Sequence, residues 1–513
     1  MKVFLLLLLS FSYVINLEKN LRETVQLGAA QSIAIKTIYK SNFNNGKFEG
    51  FGTSFCWWPN RLGYSDVLAE KSAQLFYDKK GLGLTIIRYN IGGGDDPTHD
   101  HITRTDSKVP GYAVNPSYDS SSKSYTWEYD WSKDFNQRNV LLKSVAKNKE
   151  EIIVEAFSNS PPYFMTNSGC SSGAINAWND NLKSDAYEPF AQYLADVCEH
   201  FYKNWGILFQ SISPMNEPYT NYWGAYSNKQ EGCHFDQGNS QSKIIVELKE
   251  KLNEKGFNDM QISTTDETSI DTQITSYYRL TSEARNIVTR IDTHSYGGSN
   301  RYELRELAET EGKNLWMSEV DGGDVQGTRA GEMGAGLWLA QRIILDLNGL
   351  RPSSWILWQV IDNHISKDGY DGKQDSGMVD LNNGYWGVAV ADHDNQEIIL
   401  TQKYYVFGQF SRYIRPGYTI ISCTDNSVAA YDNEGKKLVI VITNTAGTDK
   451  TVDFNLSNFS KVGKNVRVIR TSGSVSDGEK WAELEPIVPY GMGFNAVLKS
   501  NSVTTYIVDG VEE

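Results

Sequence analysis

Two glutamates with distinctive neighbours are the residues of this sequence best suited to chemistry. Glu217 lies in the tripeptide Asn216-Glu217-Pro218, and Glu319 lies in Trp-Met-Ser-Glu-Val at 316–320. Each follows a short apolar run, so each is expected at the carboxyl end of a strand. Paired carboxyl groups can divide the work, one donating a proton while the other acts as a nucleophile. Such a pair must meet in space, although 319 − 217 = 102 positions separate the two glutamates along the chain.

The elements that must position this pair form a regular alternation. Runs rich in β-branched and aromatic residues, bounded by turn residues, predict eight strands, with helical periodicity in the segments between them. The predicted strands are 50–55, 84–90, 152–157, 209–215, 260–265, 288–296, 314–320 and 354–361. Helical patterns lie, among other places, at 66–78, 187–204, 240–255 and 329–347.

Eight strand–helix units in about 310 residues predict a parallel (β/α)8 (TIM) barrel. A doubly wound open sheet is the alternative, but the first strand carries Gly50-Phe51-Gly52 and not the phosphate-binding G-x-G-x-x-G turn. In a barrel, the ends of strands four and seven lie across one mouth. Glu217 and Glu319 then share a cleft, and a separation of about 5–5.5 Å suits retaining glycoside hydrolysis.

The neighbours of the two glutamates suggest separate roles. Glu217 must begin protonated, which apolar walls favour, whereas Glu319 must be ionised and needs donors such as Arg88 and Tyr296. Asn216 is placed to hydrogen-bond a sugar hydroxyl. The apolar walls expected around Glu217 are Tyr222 and Trp223. The candidate substrate-binding residues are Arg88, Asn159, Asn216, Trp58, Trp223, Asp266, Glu267, His294, Tyr296 and Trp358.

Several of these residues also have a structural interpretation that the sequence leaves open. Arg88 could form an ion pair at the barrel rim, and His294 could be a buried histidine with satisfied hydrogen bonds. Asp266 and Glu267 could cap the following helix. Each tryptophan is either a sugar-stacking platform or part of the core. The tryptophans considered are Trp57, Trp58, Trp178, Trp223 and Trp358, of which Trp58 and Trp358 are favoured as platforms because they lie at strand ends.

The character of the chain changes after residue 404. Short strands with turns every 8–15 residues and no helical pattern predict an antiparallel β-sandwich over 405–513. The alternating stretch 32–39 is expected to add a strand to that sandwich, which assigns 20–47 to it and 48–404 to the catalytic barrel. The junction has no Pro/Ser-rich spacer, so the two domains are expected to pack rigidly.

Composition and the amino terminus restrict the possible partners and the compartment. The 513 residues carry a net charge of −14, which argues against nucleic acid and anionic membranes as partners. Lys2 followed by the apolar run 3–9 predicts a signal peptide over 1–19, too short to anchor the chain in a bilayer. We therefore expect a secreted protein, a monomer, with no membrane anchor after removal of the signal.

The cysteines and histidines predict neither a metal site nor a cofactor site. Five cysteines form no C-x-x-C pair, and a bridge between Cys170 and Cys233, both in Gly/Ser-rich segments, is one pairing to test. The stretch Asp-His-Asp-Asn at 392–395 lacks the glycine and distal glutamate of a calcium loop and predicts a hairpin turn.

Several segments together resemble glycoside hydrolase family 30, and within it the endo-β-1,6-galactanases. The most specific are Ser-Asn-Ser-Pro-Pro at 158–162 and Gln-Glu-Gly-Cys-His-Phe at 230–235. The other matching segments are 50–58, 87–90, 216–218, 266–267 and 358–359. The resemblance covers the chain from about residue 50 to its end. It implies a (β/α)8 barrel with a side β-sandwich, Glu217 as acid/base, Glu319 as nucleophile, and secreted action on arabinogalactan side chains.

Other functions remain open from the sequence. The same mechanism could act on β-1,6-glucan, glucosylceramide or xylan. A carbohydrate-binding protein without catalysis is a second possibility, in which the sandwich is the adhesive module. A cysteine or serine hydrolase is disfavoured, because no G-x-S-x-G elbow with ordered partners is present.

Overall fold

The computed structural model describes residues 30–96, 98, 101–104, 106–322, 329, 331–370, 373–376 and 386–513. The predicted signal peptide at 1–19 lies outside the described residues. Within the described residues, no helix combines the length and the apolar character that crossing a bilayer requires.

Eight parallel strands close into a barrel, which confirms the predicted fold. The register closes between the last and first strands, where Ser354 pairs with Gly50. All eight lie at the predicted places and differ from the predicted bounds by a few residues at their ends. In chain order they are β2 Gly50–Ser54, β3 Ile86–Asn90, β6 Ile153–Phe157, β7 Ser211–Ser213, β8 Gln261–Ser269, β9 Arg290–Gly297, β10 Asn314–Val320 and β11 Ser354–Leu357.

The helices surround the barrel with their apolar faces inward. In the longest, Phe190, Leu194, Val197 and Phe201 recur at helical spacing and are buried, and Gly206 ends it in the left-handed conformation. The helices are α1 Trp58–Leu62, α2 Asp66–Phe76, α3 Phe135–Lys147, α4 Tyr187–Trp205, α5 Asn239–Glu254, α6 Ile270–Arg279, α7 Ser282–Ile287, α8 Arg301–Thr310, α9 Met333–Gly349 and α10 Gln402–Ser411.

Two strand insertions decorate the end of the barrel that carries the strand carboxyl termini. One is a hairpin between β3 and α3, formed by β4 Ala113–Asp119 and β5 Ser124–Tyr129. The other is a four-stranded sheet between β11 and α10, formed by β12 Ile361–Tyr370, β13 Lys373–Ser376, β14 Ala389–Asp392 and β15 Glu397–Leu400. The turn predicted at 392–395 joins β14 to β15, where the Asn395 amide donates to the Asp392 carboxylate over 3.0 Å.

The side domain contains a six-stranded antiparallel sheet and a three-stranded sheet. β1 Gln31–Ala34 joins the smaller sheet, as the alternation at 32–39 predicts. It pairs in parallel with the strand at Lys450–Asn455 and gives way to a 3₁₀ turn at Thr37–Tyr39. The other strands are β16 Thr419–Thr424, β17 Ser427–Asp432, β18 Lys437–Asn444, β19 Lys450–Asn455, β20 Val466–Ser472, β21 Glu479–Ile487, β22 Gly493–Leu498 and β23 Ser502–Asp509.

The two domains meet along α10, which completes the barrel and begins just before the predicted boundary at 404. The Trp481 indole of the side domain donates to the Tyr405 carbonyl over 2.6 Å. The Arg412 guanidinium lies 4.0 Å from the centre of the Trp481 ring. Because buried aromatic and hydrogen-bonded contacts cross this junction, the side domain supports the barrel as a packed unit.

Candidate active site

A cleft of about 780 Å³ opens at the carboxyl ends of the barrel strands. This is the end at which barrel enzymes place their reacting groups. The cleft is lined by Trp57, Arg104, Ser172, Asn216, Glu217, Tyr222, Trp223, Ser227, Lys229, Gln230, Thr268, Tyr296, Glu319, Trp358, Gln359, Asp362 and Trp386.

Glu217 and Glu319 meet in this cleft, as the strand positions predict. Both are buried, and they have carboxylate oxygens within 4.8 Å of one another. Inverting glycosidases hold their two carboxyl groups about 6.5–9.5 Å apart to admit a water molecule, and this closer approach fits the retaining arrangement. The geometry therefore supports one carboxyl group attacking the sugar while the other protonates the leaving oxygen.

Glu217 is held by contacts from several sides. The Tyr222 hydroxyl donates to Oε2, and Nδ1 of His294 lies 3.0 Å from Oε1. The Trp223 indole donates to the Glu217 carbonyl over 2.9 Å, and the Glu217 amide donates to the Asp266 carbonyl over 2.8 Å. Glu217 has a φ of 46°, which non-glycine residues rarely adopt. These contacts hold a strained backbone position, as is common at functional sites.

Glu319 has a different set of neighbours. The Tyr296 hydroxyl donates to Oε1 over 3.0 Å, Nδ1 of His294 lies 3.4 Å from the same oxygen, and Nη1 of Arg88 lies 3.6 Å from Oε2. Oε2 accepts no hydrogen bond from the residues that the structure describes. The pairing of β10 with β9 also shifts register between Met317 and Glu319, a bulge that re-aims the side chain. Glu319 thus presents a buried oxygen suited to nucleophilic attack.

The ionisation of this pair is set by burial and by charged neighbours. Burial raises the pKa of Glu319 to about 8; the charge of His294 opposes the rise, and that of Glu217 adds to it. Arg88 also opposes the rise, so the two cations favour the ionised form of Glu319 that nucleophilic attack requires.

His294 acts as a positive charge between the two carboxyl groups. Burial favours its neutral form, but Glu319 and Asp266 raise its pKa well above the usual range. Its Nε2 lies 3.1 Å from Oδ1 of Asp266. Despite burial, Arg88 and His294 lower the pKa of Asp266, so that carboxyl group is ionised. In the protonated ring, the N–H at Nδ1 faces Glu217 and Glu319, and the N–H at Nε2 faces Asp266.

Arg88, Asp266 and His294 therefore differ from their predicted role in binding substrate. All three are buried beneath the cleft, and Arg88 pairs with Glu155 over 2.9 Å and also with Asp266. Their side chains contact each other, the two catalytic glutamates and buried barrel residues such as Glu155 and Ser318. The ion pair considered for Arg88 is present, inside the barrel and not at its rim, and the three residues position the glutamates.

The prediction that Trp58 is a sugar-stacking platform at the end of the first strand is wrong. Trp58 is fully buried, packs edge-on against Phe55 and Phe76, and donates its indole N–H to the Ser54 carbonyl over 3.0 Å. Trp57 lines the cleft instead, with its ring 5.1 Å from that of Trp358 in an edge-to-face contact. Successive residues at a helix start point in different directions, so the spacing alone did not decide between them.

Glu267 and Asn159 are also placed away from the cleft. Glu267 is buried and accepts hydrogen bonds from Ser276, Gln241 and the Tyr219 amide. Burial raises the pKa of Glu267 to about 7. The Asn159 amide lies 3.3 Å from the Cys56 sulfur. Neither is among the residues that line the cleft, and the hydrogen bonds of Glu267 give it a structural role.

Asn216, Trp223, Tyr296 and Trp358 line the cleft as predicted. The side-chain oxygen of Asn216 is buried without a hydrogen-bond partner among the described residues, so it is available to a sugar hydroxyl.

Sequence reasoning missed Trp386, which stacks against Tyr296 with ring centres 5.9 Å apart. It follows no barrel strand, since it belongs to the insertion after β11. Its distance from the last barrel strand along the sequence left no signal for a place in the cleft.

The cysteines do not form the predicted bridge. Cys170 and Cys233 are both buried with free thiols, as are Cys56 and Cys198, and Cys423 is a partly buried free thiol. The Cys233 sulfur lies 3.6 Å from the His234 carbonyl. The Gly/Ser-rich composition that suggested a bridge reflects close packing of two loops, where a Cβ on Gly173 would lie 2.1 Å from the Trp223 backbone.

Comparison with known proteins identifies relatives along most of this chain. The profile of O-glycosyl hydrolase family 30 matches residues 44–371. The endo-β-1,6-galactanase of Hypocrea rufa is 33% identical over 91% of this chain and 93% of its own. The exo-β-1,6-galactobiohydrolase of Bifidobacterium longum subsp. longum is 25% identical over 85% of this chain and 36% of its own.

Solved structures show the same architecture. A xylanase of glycoside hydrolase family 30 subfamily 8 from Clostridium acetobutylicum superposes with a TM-score of 0.63 at 21% identity. The match covers 93% of this chain and 99% of that one. Profile, sequence and fold agree along most of the chain, and the chain therefore belongs to O-glycosyl hydrolase family 30.

Proposed function

We propose that this protein is a secreted, retaining endo-β-1,6-galactanase that cleaves the galactan side chains of arabinogalactan-type polysaccharides. The observation that carries the mechanism is the approach of the Glu217 and Glu319 oxygens to within 4.8 Å. The galactan specificity is supported by the 33% identity to an endo-β-1,6-galactanase over nearly the full length of both chains.

In the first step, Oε2 of Glu319 forms a bond to the anomeric carbon. The bond from that carbon to the glycosidic oxygen breaks, and Glu217 transfers its proton to the departing oxygen. The Tyr296 hydroxyl and the Arg88 guanidinium stabilise Glu319 before attack. As Glu217 becomes an anion, the His294 imidazolium 3.0 Å away and the Tyr222 hydroxyl stabilise the new charge.

In the second step, Glu217 acts as a base. It takes a proton from a water molecule whose oxygen bonds to the anomeric carbon, and the bond from that carbon to Glu319 breaks. Two inversions at the same carbon retain the β configuration. Every group that this scheme requires is on the chain itself.

Sugar binding is supported by the aromatic lining of the cleft. Trp57, Trp223, Trp358 and Trp386 all line it, and flat rings pack against the apolar faces of sugars. Asn216 offers a buried oxygen to a hydroxyl. The chain is further proposed to be monomeric. Lys2 and the apolar run 3–9 support the proposal that it reaches its substrate outside the cell.

The test is a panel of linear β-1,6-galacto-oligosaccharides, β-1,3-galactan, β-1,6-glucan and xylan, with product sizing and anomer detection by NMR. We expect internal cleavage of the β-1,6-galactan series and a β product first. The matched control is Glu319→Gln, which should release nothing. Cleavage of another glycan but not of β-1,6-galactan would refute the specificity, and release of galactose or galactobiose alone would refute the endo action.

A further inference from the structure

A second cavity of about 700 Å³ lies on the same end of the barrel as the catalytic cleft. The segment between β3 and β5 supplies most of its lining, which includes Asp95, Val109 and Val114. Tyr163, just after β6, completes it. Both loops leave the carboxyl ends of barrel strands, so the cavity faces the same solvent as Glu217 and Glu319.

We propose that this cavity binds a sugar unit of the polysaccharide at a distance from the cleaved bond. The inference rests on the proposed function, because it concerns a more distant part of the same chain. Its ligand is a neutral β-linked hexose within the polymer. A short oligosaccharide that fills only the catalytic cleft does not reach it.

The cavity is a built feature and not a gap between loose loops. A Cβ on Gly93 would lie 2.3 Å from the Pro161 carbonyl oxygen, and one on Gly111 would lie 2.8 Å from the Gly93 backbone. The Gly93 amide donates over 2.8 Å to Glu231, which is fully buried. Backbones this close require glycine, and they hold the walls in place before any ligand arrives.

The lining has the chemistry that a sugar ring requires. Val109, Val114 and Pro116 give an apolar wall, and the Tyr163 ring stands at one side. Charged groups also line the cavity, among them Asp95 and Lys133. A hexose presents apolar C–H faces and polar hydroxyl edges, so it matches a lining that combines apolar and polar groups.

The cavity and the catalytic cleft share a thin wall. Oδ2 of Asp95 lies 3.2 Å from Nδ1 of His101, and Nε2 of His101 lies 2.9 Å from the Ser172 hydroxyl. Asp95 lines the cavity, whereas Ser172 lines the cleft. Three side chains therefore separate the two spaces, and one polysaccharide can cross from one to the other.

Tyr163→Ala removes the aromatic wall, and Val114→Trp fills the space while keeping the other contacts. The matched control is Tyr278→Ala, an exposed tyrosine of α6 that lines neither space. The assay compares kcat/KM on long β-1,6-galactan with kcat/KM on a β-1,6-galactotetraose. Loss of one stacking contact should lower the value for the polymer roughly five- to tenfold and leave the tetraose within about twofold.

Each outcome decides a separate question. A drop confined to the polymer in both cavity variants, with Tyr278→Ala unchanged, supports the cavity as a sugar site. Equal loss on both substrates, or wild-type values on both, overturns it. If the wild-type protein cleaves neither galactan, the proposed function fails and the assignment of the cavity fails with it.

Discussion

Tyr296→Phe tests how the fold keeps Glu319 ionised. The substitution removes the hydroxyl that donates to Oε1 over 3.0 Å and leaves the ring in place against Trp386. A hydrogen bond to a charged group contributes about 1.5–3 kcal/mol. The lower figure applies here, because His294 at 3.4 Å and Arg88 at 3.6 Å still stabilise the carboxylate.

A loss of about 1.5 kcal/mol corresponds to about one unit of pKa. The donor favours the ionised carboxylate, so its removal raises the pKa of Glu319. The low-pH limb of kcat/KM should therefore move to higher pH by up to about one unit. The measurement is a pH profile on a soluble β-1,6-galacto-oligosaccharide, and Tyr278→Phe provides the same chemical change on an exposed surface. An unchanged limb, or one that moves to lower pH, would refute the reasoning.

The remaining predictions concern the acid/base group, the tryptophans and a glycine. Glu217→Ala should lose about 10²–10⁴-fold on natural substrate but keep turnover of aryl glycosides with activated leaving groups, which azide should increase; equal losses on both would contradict its role as acid. Trp58→Ala should destabilise the fold by about 3–5 kcal/mol in denaturant unfolding, whereas Trp386→Ala should lower kcat/KM several-fold with an unchanged Tm; the reverse pattern would contradict their placement. In Gly232→Ala the new Cβ would lie 2.2 Å from the Trp223 ring, so stability should fall by about 1–3 kcal/mol; a wild-type Tm would show that the ring moves freely.

The barrel was predictable because its strands have a strong local signal. Each is a short apolar run between turn residues, and eight of them alternate with helical patterns. The insertion formed by β12–β15 was not predicted, since short strands within a long connection look like loop. The parallel pairing of β1 with β19 joins residues more than 400 positions apart, and local patterns carry no information about such pairing.

The meeting of Glu217 and Glu319 was predictable, because the order of the strands places both glutamates at the same end of the barrel. The roles of the residues around them were not, because a position at a strand end does not say which way a side chain points. Arg88 and Asp266, predicted at strand ends, lie inside β3 and β8 and form buried ion pairs beneath the cleft. Trp57 and Trp58 are adjacent in sequence and divide between the cleft and the core. Packing in three dimensions decides these cases.

The central claim, that Glu319 attacks the sugar, is tested most directly by trapping the covalent intermediate. A 2-deoxy-2-fluoro-β-galactoside with an activated leaving group reacts with the enzyme to form a glycosyl-enzyme intermediate. This intermediate is hydrolysed slowly, so it accumulates. Digestion and mass spectrometry should find the label on the peptide that contains Trp316-Met317-Ser318-Glu319, attached at Glu319. A label on another residue, or no label together with a first-formed α product, would contradict the account.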